Sequence, residues 1–341
     1  MKYAYFEKSV LDKTFYEEKI FPRLPREVYD VHTHVNLEQH VKDVPKERIM
    51  DDWAFQCGYV MSAQDARYYF DTMFPGIDYK INAFPFPIRE ADIEASNEYI
   101  AQCIGEGTIR SGFLCIKPEY GVDYLEKMLM ENGFSGVKPY PDMGSGKKGA
   151  EVGIFDFMPR EQFALAEKLG KVVMMHLPRA GRMPDDRNIA ELKEIRRDFP
   201  DLKLCIAHFG RCFTPYHFGQ AIEKMGEDIH WLYFDTAAVL NPAVYELALK
   251  KLSPERILFG TDEPIFLWHG KRTWTKTAYQ NLAREDFAWN THTEGTEAEA
   301  GYTFYVYEQV NNILDTIDKL GLGAQTAGQI FGGNAKKLLG E

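Results

Sequence analysis

Eight short apolar runs, each followed by a stretch with helical periodicity, set the narrowest limits on how this chain folds. They are EVYDVHTH (27–34), KINAFPFPI (80–88), SGFLCIKP (111–118), SGVKPYP (135–141), KVVMMHLP (171–178), LKLCIAHFG (202–210), WLYFDTAA (231–238) and RILFGTDEP (256–264). Several are apolar almost throughout before they meet a polar residue, the pattern of parallel strands buried on both faces. Between them, DYLEKMLMENG (123–133) puts Leu125, Met128 and Leu129 on one stripe and stops at Gly133, and REQFALAEKLG (160–170) also stops at a glycine. Asn241 and Pro242 read as the N-cap and first position of another helix. Strands alternating with helices imply an α/β chain with right-handed crossovers, and eight of them imply closure into a (β/α)8 TIM barrel. An open doubly wound sheet competes, but no GxGxxG or GxxxxGK[ST] follows the first strand, which weakens its nucleotide-binding versions.

With 341 residues, 45% of them hydrophobic, the chain can bury one large core. We read residues 1–341 as one barrel domain. Residues 1–26 precede the first strand, 39–77 and 265–301 are insertions after strands one and eight, and 303–339 read as helical. Both insertions emerge at the C-terminal face, where barrel active sites sit. A net charge of -11 argues against a nucleic-acid or anionic-membrane surface, since both need clustered positive charge. It leaves small anionic molecules open as partners. No apolar run reaches 18 residues. Cys57, Cys103, Cys115, Cys205 and Cys212 are odd in number and show no paired spacing, so a cytoplasmic location is expected.

The polar residues at the strand ends carry the chemistry. His32, His34, His176 and His208 each follow an apolar run, and Asp262 does so on the last strand. A buried polar group without a partner costs a few kcal/mol, about 1–3 by mutational measures, so these are poor packing choices. They are good ligands for a divalent transition metal. His32 and His34 stand at i and i+2, on one face of a strand. Either histidine alone reads as an ordinary hydrogen-bonded residue; what points to a metal is that all five end strands of the same barrel. His40, His217, His230 and His292 have no such partner spacing, and His269 sits in a loop able to fold over the site.

VYDVHTH, VVMMHLP, CIAHFGR, ILFGTDEP and IFGGNAKKLL together resemble the amidohydrolase superfamily, in its branch similar to aminocarboxymuconate-semialdehyde decarboxylase. The resemblance runs from about residue 27 to the end. It implies one divalent ion, zinc or manganese, on His32, His34, His176 and Asp262, with His208 and Asp262 as catalytic acid/base groups and a homo-oligomeric state. Lys138, where some relatives carry a carboxylated metal-bridging lysine, is read as a cation facing the substrate.

Arg179 and Arg182 follow strand five, and arginine binds carboxylates in bidentate fashion. Arg211 can do the same, and Tyr140 and Trp268 can wall a ring. The leading expectation is hydrolysis of a lactone, ester or amide in a small carboxylated molecule by metal-activated water. Its rivals are non-oxidative decarboxylation on the same ligand set and a catalytically silent carboxylate-binding barrel.

Overall fold

The computed structural model describes residue 3, residues 5–144 and residues 151–341. Eight parallel strands follow one another in sheet order as they do in sequence: β1 (Glu27–His34), β2 (Asp78–Phe84), β3 (Ser111–Cys115), β4 (Gly136–Lys138), β5 (Val172–Met175), β6 (Lys203–Ile206), β7 (Tyr233–Asp235) and β8 (Ile257–Leu258). The last meets the first through backbone bonds from Val31 to Phe259, from Asp262 to His32 and from His34 to Glu263. These close the (β/α)8 barrel.

Tyr29, Val31, Phe84, Phe113, Met174 and Leu258, with others from six strands, pack into one cluster, and Leu338 of the last helix joins them. A second, larger cluster lies between the strands and the surrounding helices. Two facing layers of buried side chains explain why the strands read as continuous apolar runs. Gly136 shows how tightly they fit: a Cβ there would collide with the Val172 carbonyl and the Phe113 ring.

Most strands are shorter than their apolar runs. β5 stops before His176, β6 before His208 and β8 before Asp262, because the chain turns out of the ladder there. Nine non-glycine residues among those described have positive φ, and all but Asp43 and His292 lie just after β5 to β8. The helices follow the sequence signals. Val122–Glu131 buries Leu125 and Leu129, and Gly133 beyond it has φ +72°. Pro242–Lys251 is capped by the Asn241 side chain, which accepts from the Ala243 N–H.

The insertions are more structured than loops. Within 39–77, helix Ala63–Met73 is the ordinary crossover to β2, so the added part is the short helices Lys46–Asp51 and Trp53–Cys57. After β8 an antiparallel hairpin, β9 (Gly270–Trp274) and β10 (Tyr279–Ala283), projects over the barrel mouth. The region beyond 303 is largely helical, with Tyr305–Lys319 its longest helix. No helix among the described residues is long and apolar enough to cross a membrane.

Candidate active site

β1 does not run straight to its histidines. Asp30 pairs with Ile81 and Thr33 with Ala83, so Val31 and His32 together oppose Asn82 alone. This β-bulge shifts the side-chain alternation by one. Tyr29 and Val31 pack in the barrel interior, and beyond the bulge His32 and His34 take over that face, their ring centroids 5.3 Å apart.

Each of three imidazoles has Nδ1 fixed by an acceptor. His32 donates to Asp235 Oδ2 at 2.7 Å, His34 faces the Pro85 carbonyl at 3.3 Å, and His208 donates to the Ala237 carbonyl at 2.9 Å. With the proton on Nδ1, the lone pair is left on Nε2. Asp262 Oδ1 then lies 3.2 Å from His32 Nε2 and 3.1 Å from His34 Nε2. Lone pairs facing a carboxylate at that distance repel unless a cation, a proton or a metal ion, lies between them. One donor atom each from His32, His208 and Asp262 falls within 4.8 Å of the others. His176 is next to them, its ring 5.3 Å from that of His208, with a buried Nδ1 that has no partner.

The electrostatics agree with this. Burial lowers His34 and His208 to about 4 and His176 well below its ordinary value, so all three are neutral at pH 7. Burial and Lys138 lower His32 too, but Asp235 and Asp262 outweigh them and hold it above the ordinary value. Burial alone would raise Asp262; His208 and His32 outweigh it and keep the carboxyl well below its usual range. Orphaned buried nitrogens together with a borderline nitrogen–oxygen donor set fit a divalent transition ion.

The five strand-end residues line one cavity of about 580 Å³. Two of them, His208 (φ 56°) and Asp262 (φ 74°), have left-handed backbone, a strain of about 1–3 kcal/mol each that points to function. Asp235 holds the first in place by accepting the His208 N–H at 2.7 Å.

A model of the amidohydrolase family matches residues 29–340. The chain belongs to that family. No curated protein matches it by sequence. Its fold is similar to that of 5-carboxyvanillate decarboxylase from Sphingomonas paucimobilis (13% identity, TM-score 0.55, 92% of this chain and 99% of that one). It is equally similar to 4-oxalomesaconate hydratase from Rhodopseudomonas palustris (17%, 0.55, 92% and 95%). A third is a dihydroxybenzoic acid decarboxylase from Polaromonas sp. JS666 with bound manganese and 2-nitroresorcinol (14%, 0.52, 92% and 96%).

The other expected residues of this amidohydrolase-family chain are placed unevenly. Tyr140 lines the cavity with its ring 4.7 Å from His176. Lys138 is fully buried, with Nζ 4.6 Å from the centroid of Phe84, the ring on which His32 and His34 also pack. Its Nζ has no hydrogen-bond partner, and burial lowers it to about 8. Arg179 reaches the wall but is held by Glu191 in two bonds and by Asn188, so it is occupied within the chain. Arg182 lies outside the cavity lining, against His217 and Phe213. His208, expected beside the metal, has a donor atom within 4.8 Å of those of His32 and Asp262, so it stands within reach of the same ion. His269 is structural: it bridges Asp12 and Glu285. Trp268 is core, fully buried.

Sequence reasoning missed Asp235 and Arg272. Asp235 carries the same signal as the others, a carboxylate ending an apolar run in WLYFDTAA. Arg272 sits in the hairpin, where no periodic pattern marked it.

Proposed function

We propose that this chain is a divalent-metal-dependent enzyme that hydrolyses a C–O or C–N bond in a small anionic carboxylic acid. The observation that supports this best is the pair of Nε2 atoms of His32 and His34 that face an ionised Asp262 at 3.2 and 3.1 Å, with His32 Nδ1 held by Asp235 and His208 beside them. His32, His34, His176 and Asp262 would hold the ion, with His208 near enough to join them. Such an ion lowers the pKa of water and polarises a carbonyl oxygen. Asp262 and the neutral His208 are both proton acceptors at rest, suited to taking a proton from water and returning it to the leaving group. Lys138 supplies a buried positive charge for a carboxylate or developing oxyanion, and Tyr140 a flat wall.

Non-oxidative decarboxylation is the second reading. It is favoured by Lys138, a buried cation without a carboxylate partner, because the electron pair left as CO2 departs needs positive charge nearby. Two of the structurally similar proteins are named as decarboxylases. Purified protein is assayed with pyrone and lactone acids and with aromatic 2-hydroxy acids. Ring opening supports the first reading, and CO2 release supports the second. Elemental analysis tests the shared premise. A protein that takes up no stoichiometric manganese or zinc, or one whose metal content is unchanged in His176→Ala, defeats it.

A further inference from the structure

Five arginines line the cavity: Arg48, Arg89, Arg179, Arg211 and Arg272. Three are neutralised within the chain, Arg48 and Arg89 by Asp142 and Arg179 by Glu191. Among the described residues, no carboxylate lies at ion-pair distance from Arg211 or Arg272. Arg272 is the more unusual of the two, being 3% exposed. Its Nε donates to Asn281 Oδ1 at 2.9 Å and its Nη1 to the Ala238 carbonyl at 2.5 Å, while its Nη2 is buried with no partner. The guanidinium lies 4.0 Å from the Tyr279 centroid, against the opposite strand of the hairpin. Two hydrogen bonds and the Tyr279 ring stabilise this enclosed cation, but among the described residues no carboxylate pairs with it, and its Nη2 is left without a hydrogen bond.

Its surroundings add positive charge. Arg182 and Arg272 are each 5.4 Å from the centroid of Phe213. Arg211 spends Nη1 on the Leu177 and Arg179 carbonyls, and burial, with Arg182 beside it, pushes its guanidinium down. Two guanidiniums thus share one ring while Arg211 lines the same cavity, and an anion from outside the chain is what would balance them.

We infer that Arg272 is a specificity-determining residue that holds a second carboxylate of the substrate, away from the His32–Asp262 cluster, so that the preferred substrates are dicarboxylates. This rests on the cavity being the substrate site. One free nitrogen on Arg272, with Arg211 lining the same cavity, suits the two oxygens of a planar carboxylate better than the additional oxygens of a phosphate. The placement also links recognition to chemistry. Ala238 O anchors Arg272 and its neighbour Ala237 O fixes the His208 tautomer, so an anion drawn to Arg272 loads the turn that orients His208. Because the hairpin belongs to the insertion after β8, selectivity lies in a loop and not in the barrel.

The test is calorimetric titration of the full chain, as purified and after manganese loading, with malonate, glutarate and isophthalate and with acetate, butyrate and benzoate as their single-acid counterparts. At least one diacid is expected to bind tenfold or more tightly than its counterpart, and Arg272→Gln to bring that ratio below threefold. Arg272→Lys, which keeps the charge but not the fork, decides the matter if the glutamine variant does not fold; its ratio is expected to fall by half or more. No diacid preference in the wild type, or a preference that survives substitution, overturns the inference. So does inorganic phosphate binding more tightly than every diacid in an Arg272-dependent way. Manganese stoichiometry in the same samples reports on the metal centre separately. Failure to bind manganese beside an intact Arg272-dependent ratio defeats the proposed chemistry and leaves this inference standing.

Discussion

Asp235→Asn is the substitution that tests the proposed metal centre most directly, because it removes one charge and turns one acceptor into a donor with almost no change in volume. Asp235 is fully buried and accepts from His32 Nδ1, the His208 N–H and the Ala237 N–H. Burial would raise its carboxyl, but His32 and His208 outweigh that and hold it below the usual range, so it is ionised. An asparagine keeps Oδ1 for the two backbone donors and turns its amide N–H2 toward His32. The imidazole then must accept at Nδ1 and carry its proton on Nε2, where it faces Asp262 and is lost as a ligand. Removing such an orienting partner costs roughly 10–100-fold in metal affinity, about 1.4–2.7 kcal/mol. Without metal the cost is smaller, about 1–2 kcal/mol, for a charged hydrogen bond exchanged for a neutral one. Competition against chelators of graded affinity measures the first quantity and urea unfolding of the chelated protein the second. Manganese affinity within twofold of wild type, in a folded variant, would refute the tautomer argument.

Three further outcomes are expected. His208→Ala and Asp262→Asn should lower turnover on any accepted substrate by about 10²–10⁴ while circular dichroism stays that of the wild type; turnover within tenfold would remove either from the proton-transfer role. Gly136→Ala should destabilise the barrel by about 1–3 kcal/mol, read as a lower urea midpoint, since its Cβ has backbone on one side and the Phe113 ring on the other. Burial works against charge on both His269 and Asp12, but their mutual bond, with Glu285 and Ser9, raises His269 and lowers Asp12; Arg284 also touches the ring. The His269 contribution is full below its unfolded value near about 6.5 and fades as pH rises through its raised value, whereas that of Asp12 is lost as pH falls through its lowered value. The stability gap between wild type and His269→Gln should therefore be widest near about pH 5–6 and shrink toward alkaline pH; a gap that grows with pH contradicts the pairing.

How much of this was legible in the sequence follows from how each feature is encoded. The barrel was, because burial on both faces forces apolar runs at regular spacing, and a polar residue at the end of such a run has no packing explanation. His32, His34, His176, His208 and Asp262 all carried that mark, and all line one cavity. Strand lengths did not, because Phe259 and Gly260 are as apolar or small as the strand they follow, and only the ladder shows where it stops. The bulge was equally hidden: nothing in YDVHTH says that Val31 and His32 share one partner. Arginines at strand ends were misleading in a different way. Arg179 and Arg272 are both arginines lining the site, yet one has Glu191 twelve positions along its own helix-forming segment and the other has no acid at ion-pair distance among the described residues.

That contrast bears on how such a site divides its labour. The candidate metal cluster is assembled from backbone-fixed strand ends whose second partners, Asp235, Pro85 and Ala237, come from the barrel itself. It can therefore be the same in proteins that do different chemistry. The guanidinium left without a counter-ion is supplied by a hairpin that the barrel does not need. If the anion requirement of Arg272 is what chooses the substrate, grafting a different loop between Ile265 and Tyr302 should change what binds and leave metal affinity nearly intact, since none of the residues fixing the imidazole tautomers lies in that span. A loop exchange that abolished metal binding in a folded protein would show instead that the hairpin, through Ala238, helps hold the cluster together.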